Sequence, residues 1–328
     1  MTTPDQLRAE LHALIQGVVL TSAREAQFVG GSSAGQSIII AGEEGSYAGL
    51  ARALYATYCG WSPPNAVASQ SHSETFLSDI RAANPVPQRS VAGWSIVAID
   101  PDAILVINAR GDRRWVPPGE LIIPPGGFVP GGPVRLAVPR DRLTGPTGHY
   151  MVLGGPIHSH LTGRQVRFYW NIPDSAAAPF ITAVCKPLVK RRIPFEAKLP
   201  AHEQGFRRTD TAVLYLNVEH IEVARDILEL AQEKLSPVLR EGTPFFAERL
   251  GMGVAFAETP PENGSFGLHR CTLIAEGMVE AYQQGLRDSL ELLEFLCGHM
   301  TRYGLDLSNT ARNPGSVYPY RLPRGELR

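Results

Sequence analysis

The chain is poor in the features that would announce its chemistry. Its four cysteines (Cys59, Cys185, Cys271, Cys297) are scattered, with no CxxC pair, which fits reduced thiols better than a disulfide framework. It has almost no net charge, −1 overall, so no global field draws it to nucleic acid or to an anionic membrane. Its apolar runs are too short for a spanning helix, and Met1 to Glu10 holds no signal-peptide core. A cytoplasmic protein that binds neither nucleic acid nor membrane is expected. Gly-x-Ser-x-Gly, the Walker A loop and the kinase catalytic set are all missing, so the chain is not expected to take phosphate from ATP itself.

What is present is an ordinary folding composition. Of 328 residues, 44% are hydrophobic and 19% charged, which excludes general disorder and allows one large domain or two smaller ones. Three textures follow one another. Residues 1–90 read as a helical segment, with one apolar stripe at Leu7, Leu11, Leu14 and Ile15 and another at Leu50, Leu54 and Tyr58. A third helix starts at Ser73-Glu-Thr-Phe76 and closes before Asn84-Pro85. Gly30-Gly-Ser-Ser-Ala-Gly35 lacks the Gly-Lys-Ser/Thr ending of a phosphate loop and reads as a plain flexible loop.

Residues 91–172 read as β, with apolar runs at Trp94–Ile99, Ile104–Ile107, Leu121–Ile123 and Val134–Val138 between Pro and Gly turns. Asp100-Pro-Asp is a hairpin signal, and Pro124–Pro133 is a connector or a flap. Residues 173–328 alternate: helix Asp174–Lys190, strands Pro194–Leu199 and Ala212–Leu216, an amphipathic helix His220–Leu239, and a closing helical hairpin Arg270–Gln284 and Asp288–Arg302. The fold class is therefore α+β: a mixed, mainly antiparallel sheet with the N-terminal helical segment and the C-terminal helices packed on it, in one continuous domain or two lobes.

Four clusters place charge inside segments that otherwise favour burial: Arg167-Phe-Tyr-Trp-Asn171, Phe195-Glu-Ala-Lys198-Leu-Pro200, Arg207-Arg-Thr-Asp210 and Ser265-Phe-Gly-Leu-His-Arg-Cys271. Buried charge costs several kcal/mol unless it is paired or used. Strand alternation puts Arg167, Tyr169 and Asn171 on one face and Phe168, Trp170 and Ile172 on the other. Lys198 either pairs with Glu196 on its own face or, beside other cations, has its pKa lowered to serve as a base. Arg207 and Arg208 can clamp a phosphate with Asp210 orienting a guanidinium, or form a solvated charge cluster. His269 and Arg270 precede a helix, near its positive end. His158-Ser-His160 with His149 has metal-like spacing, but nothing in sequence supplies further ligands, so no metal and no cofactor is expected.

Together these strings, with Arg207-Arg-Thr-Asp-Thr-Ala-Val-Leu-Tyr215, resemble the HopA-type effector family of plant-pathogenic bacteria over roughly Ala41 to Tyr303. Stand-alone members of that family occur in the biosynthesis of class V lanthipeptides and thioamide-containing peptides. The resemblance implies a lyase that removes phosphate from phosphoserine or phosphothreonine of a precursor peptide, leaving dehydroalanine or dehydrobutyrine, with a separate kinase as partner. By similarity to phosphothreonine lyases, Lys198 is the base, Arg167, Arg207, Arg208 and Arg270 are the phosphate clamp, and Tyr169 or His269 is the acid. Asn171 and Asp210 then support them. The Lys-x-His strand motif of those lyases corresponds to Arg167-x-Tyr169 here, so the acid differs from theirs. Three rivals stand beside this reading: a non-catalytic phosphopeptide- or protein-binding module, a hydrolase or zinc enzyme on the histidines, and a cyclase adding cysteine thiols. The β-rich region, with exposed edges, is also expected to hold an extended leader peptide by strand addition.

Overall fold

The computed structural model describes residues 4–29, 34–40, 47–59, 74–144, 148–155, 164–261 and 264–323. Helix α1 (Pro4–Gln16) is followed by a small antiparallel sheet of β1 (Val18–Ser22), β2 (Glu25–Phe28) and β3 (Ser37–Ile39). The expected stripe Leu7, Leu11, Leu14 and Ile15 is buried along α1. The small sheet departs from the helical reading of this segment. Val18-Val-Leu-Thr-Ser22 is β-branched and alternates in burial, a period-2 signal too short to stand out beside the helix before it. Gly35 lies at φ 82° in the turn between β2 and β3, a backbone region open to glycine.

Helix α2 (Ala48–Leu54) buries Leu50 and Leu54 and runs into a π-helical turn, Tyr55–Cys59. Helix α3 (Glu74–Ala82) ends before Asn84-Pro85. The Asn84 carboxamide accepts from Val86 N–H at 2.9 Å and donates to the Tyr150 hydroxyl at 3.0 Å, fixing the chain's exit from the helix.

Two larger sheets follow, both antiparallel throughout their described pairs. The first holds β4 (Arg89–Ile99), β5 (Ile104–Asn108), β6 (Arg113–Val116), β7 (Leu121–Ile122) and β8 (Pro133–Val138) in the order β6-β5-β4-β8-β7. The Asp100 turn joins β4 to β5, with Asp100 N–H donating to Ala103 at 2.9 Å. The Pro124–Pro133 stretch connects β7 to β8, and its Gly131 and Gly132 exchange hydrogen bonds with Ile96. Strand β6 carries no alternation of its own, since Val116 alone is buried and three residues are exposed. Only pairing with β5 makes it a strand.

The second sheet has seven strands, β9 (Asp141–Thr144), β10 (His149–Leu153), β11 (Gln165–Trp170), β12 (Glu196–Pro200), β13 (Ala212–Asn217), β14 (Glu248–Gly251) and β15 (Val254–Glu258), ordered β14-β15-β11-β13-β12-β10-β9. The expected single sheet is therefore three. A division at residue 172 does not follow them either, because β10 and β11 pair with β12 and β13 of the following segment.

The seven-stranded sheet is covered on both faces. On one side lie α3, α4 (Ala177–Phe180), a π-helical turn (Ile181–Cys185), α5 (Lys186–Lys190) and α6 (Ile221–Leu235), closing over Phe168, Trp170, Ala197, Leu214 and Phe256. On the other lie α1, the small sheet, α2, α7 (Phe266–Gln283) and α8 (Ser289–Arg302), over Tyr169, Val213, Ala255 and Ala257. Alternation along each strand thus sorts its residues between two cores.

The turn between β14 and β15 fastens the end of β11. Gly253 accepts from Asn171 N–H at 2.8 Å, and Arg240 N–H donates to the Asn171 carbonyl at 2.9 Å. Gly253 has φ +64°, and a Cβ there would stand 2.3 Å from the Arg240 carbonyl oxygen. Gly253→Ala is expected to cost about 1–3 kcal/mol through a clash with backbone and a left-handed φ. Urea unfolding checks this, and a midpoint unchanged from wild type contradicts it.

Candidate active site

The polar residues that the sequence scatters over four segments meet on one face of the seven-stranded sheet. Register does the gathering: Arg167 on β11 lies opposite Tyr215 on β13, Tyr169 opposite Val213, and Lys198 on β12 opposite the same Val213. On the far side of β11, the partners of Arg167 and Tyr169 are Ala257 and Ala255, whose small side chains leave room above the sheet. Tyr55 from the π-helical turn, Pro244, and Ser265, Phe266 and Gly267 at the start of α7 close a cavity of about 20 Å³ over Arg167, Tyr169, Lys198, Asp210 and Tyr215. That is room for about one water molecule.

Arg167 is 7% exposed. Its Nε donates to Thr259 Oγ1 at 3.1 Å, another guanidinium nitrogen donates to the Gly264 carbonyl, and its carbon sits 5.1 Å from the centre of the Tyr215 ring. Tyr169 is hydrogen-bonded to it. Burial raises the Tyr169 pKa above a free phenol's, more than the neighbouring Arg167 lowers it, so the hydroxyl keeps its proton at neutral pH.

Arg208 and Asp210 form a bidentate pair, Nε to Oδ1 at 2.7 Å and Nη2 to Oδ2 at 3.0 Å. The same Arg208 nitrogen donates to the Tyr55 hydroxyl at 2.8 Å. Burial pushes the Asp210 carboxyl up, but Arg208, Lys198 and other neighbours hold it below its ordinary value, so it is ionised. Burial likewise raises the Tyr55 phenol.

Lys198 is half-buried, with its ammonium enclosed by protein. The sequence suggested a lowered pKa. Burial does push it down, but Tyr215, Asp210 and Tyr55 together outweigh burial and Arg208, and the net direction is up. The anticipated Glu196 pairing is also displaced: Glu196 lies 3.8 Å from Arg142. The resting lysine is a cation.

Other expected members go elsewhere. Arg207 is exposed and lines no part of the cavity. Helix α7 starts at Phe266, capped by Ser265, earlier than the sequence indicated, so Arg270 lies beyond its first turn. Arg270 is fully buried and donates to the carbonyls of Thr310 at 3.1 Å and Arg312 at 2.8 Å, holding the C-terminal segment. His269 receives an Arg270 nitrogen at 2.8 Å and is outside the cavity wall. Asn171 donates to the carbonyls of Glu241 and Gly242 and accepts from Arg240, which makes it a loop anchor.

Tyr55, Tyr215 and Ser265 join the site beyond the expected residues. Tyr215 carried a signal, since it shares a strand face with Val213 beside Asp210. Tyr55 carried none, being one aromatic among several in a helical stretch. His149 has a different setting from the metal-like one considered: burial, Lys198 and Arg208 lower its pKa to about 3, so it is neutral in neutral solution. His158 and His160 lie outside the described residues. Among the described residues no three His, Cys, Asp or Glu side chains gather to hold a metal ion, and no helix is long and apolar enough to cross a membrane.

Residues 141–312, more than half of the chain, match the model of the HopA1 effector protein family. Among the solved structures that align with the chain are two Pseudomonas syringae effectors. The effector protein from Pseudomonas syringae pv. tomato strain DC3000 is 20% identical, covering 75% of this chain and 83% of that one at a TM-score of 0.42. The effector protein from Pseudomonas syringae pv. syringae strain 61 is 15% identical, covering 95% and 98% at a TM-score of 0.47. No curated protein matches the chain.

The lowered pKa of His149 makes a prediction about acid stability. The unfolded chain takes up a proton near pH 6.5 while the folded one does not until about 3, so stability falls as pH drops through that window. Asp210 adds to the loss only below its unfolded value of 3.8. In His149→Gln, the urea midpoint measured between about pH 6.5 and 4 should fall less steeply than in wild type. Parallel slopes would remove His149 as the cause.

Proposed function

The chain belongs to the HopA1 effector protein family, and on that premise we propose that it is a lyase eliminating phosphate from phosphorylated serine or threonine of a precursor peptide. The observation that carries this reading is a charge imbalance. Arg167 and Lys198 line one largely buried cavity whose single wall carboxylate, Asp210, is already paired with Arg208 beside it, leaving a surplus of two positive charges. A phosphomonoester carries about −1.5 to −2 charges and three acceptor oxygens, which matches that surplus in sign and size. Phe266 and Gly267, the first residues of α7, line the same cavity, so the positive end of the helix lies beside it.

In this reading Arg167 and Arg208 hold the phosphoryl oxygens, Asp210 keeps Arg208 in position, and the Tyr55 hydroxyl gives up its bond from Arg208 as phosphate enters. The neutral form of Lys198 takes the α-proton. The electrons of that C–H bond form the Cα=Cβ double bond, the Cβ–O bond breaks, and inorganic phosphate departs with its charge held by the arginines and a proton from Tyr169. Dehydroalanine or dehydrobutyrine remains. A separate kinase supplies the phosphorylated peptide.

Because Lys198 rests as a cation, the neutral base is scarce at neutral pH. The value of kcat/KM should rise about tenfold per pH unit from about pH 7 to 9, and a plateau in that range would assign the base elsewhere.

The charged resting state of Lys198 also favours a second reading, a phosphopeptide-binding module in which the lysine is one more phosphate ligand. Mass spectrometry of a phosphothreonine peptide incubated with wild type and with Lys198→Ala separates the two. Loss of the whole phosphoric acid unit with wild type, slowed about a hundred- to ten-thousandfold in the variant, is the expected outcome. Binding without change in mass would support the module, and restoration of the hydroxyl would indicate a phosphatase.

A further inference from the structure

The five-stranded sheet supplies no residue to the cavity wall and has a small core of its own, built on Ile96, Ile104, Val106, Val116, Leu121, Val134 and Leu136. Its surface is unusual. Residues 89–138 carry six of the eighteen exposed large hydrophobic side chains among the described residues, about twice their share of those residues.

One of the six is Trp115, 53% exposed on β6, the strand that, among the described residues, ends the sheet and pairs on one side only, with β5. Arg113 and Arg114 on the same strand are exposed, as is Arg110 just before it. The acid among them, Asp112, is bound by the Asn108 carboxamide at 2.7 Å. Among the described residues none of the three arginines makes an ion pair. Charges alone on an edge strand are ordinary protection against unwanted pairing. A half-exposed tryptophan set among them works against that protection, and Trp with Arg is the combination that dominates binding hot spots.

We propose that β6 is a docking edge for an acidic, extended peptide segment, added to the sheet as a further strand. Its backbone would pair with the open side of β6. Arg113 and Trp115 lie on one face of the strand and Arg114 on the other, so acidic side chains meet guanidinium groups on both faces and an apolar one packs on the indole. A second copy of this chain is the poorer occupant, because two β6 edges would bring like-charged arginines together.

The test uses the full chain and an unphosphorylated, fluorescently labelled peptide of repeating Glu-Glu-Val-Val, which puts acidic and apolar residues on both faces of a strand, with a repeating Lys-Lys-Val-Val peptide as charge control. Fluorescence anisotropy should show the acidic peptide bound and the basic one not. Arg113→Glu combined with Arg114→Glu, and separately Trp115→Ala, should each weaken binding about tenfold or more. Circular dichroism confirms that each variant is folded, and Arg113→Gln with Arg114→Gln serves if the charge reversal unfolds the sheet. Absence of binding, or equal binding by all variants, overturns the proposal. So does self-association in sedimentation that the same variants abolish, which would give the edge to a second copy. The assay reads no chemistry and Lys198→Ala should bind as wild type, so its outcome is independent of the cavity's function.

Discussion

Everything at the cavity depends on a buried excess of positive charge held by one sheet face. Arg208 and Asp210 satisfy each other, with side chains 19% and 8% exposed, but Arg167 and Lys198 face no carboxylate of their own there. Arg167 is instead surrounded by neutral acceptors and an aromatic face, which stabilise a cation without cancelling it. Such an arrangement costs several kcal/mol per unpaired charge. Under the proposed function an anion of about two charges would offset that cost, and the electrostatic work done in advance by the fold would become binding and transition-state stabilisation.

The rest of the architecture serves to keep that face dry and rigid. Odd-numbered residues of β11 turn Arg167 and Tyr169 towards the cavity while Phe168 and Trp170 sink into the opposite core. Tyr169 holds its proton because it is buried, and Arg167 its orientation through Thr259 and the Gly264 carbonyl. Two residues expected to act on substrate turn out to maintain this frame. Asn171 ties the β14–β15 turn and the Arg240 segment to the end of β11, and Arg270 ties the C-terminal segment to α7, whose first residues form one wall.

The five-stranded sheet stands apart in its physics. Seven buried residues are a small core, and the polar logic of the cavity does not reach it. Its information is on the outside, in an edge strand that is basic and aromatic at once.

The periodic elements were legible in the chain. The α1 stripe, the α6 amphipathic face, the closing helical pair and the strands around Arg167, Lys198 and Ala212 follow from apolar spacing, which is local. So is the split of Arg167 and Tyr169 from Phe168 and Trp170, because a strand alternates whatever it pairs with. The family resemblance rested on those same strings. What the sequence could not contain was distance. β6 has no pattern of its own and exists through β5; Tyr55 reaches Arg208 across 153 positions; and Arg270, as cationic as Arg208, is drawn to the carbonyls of Thr310 and Arg312. The sign of the Lys198 shift was likewise a tertiary matter. Burial argued one way and the charges around it the other, and only the sheet register and the packing of α2 and α7 decided which of them stood close enough to prevail.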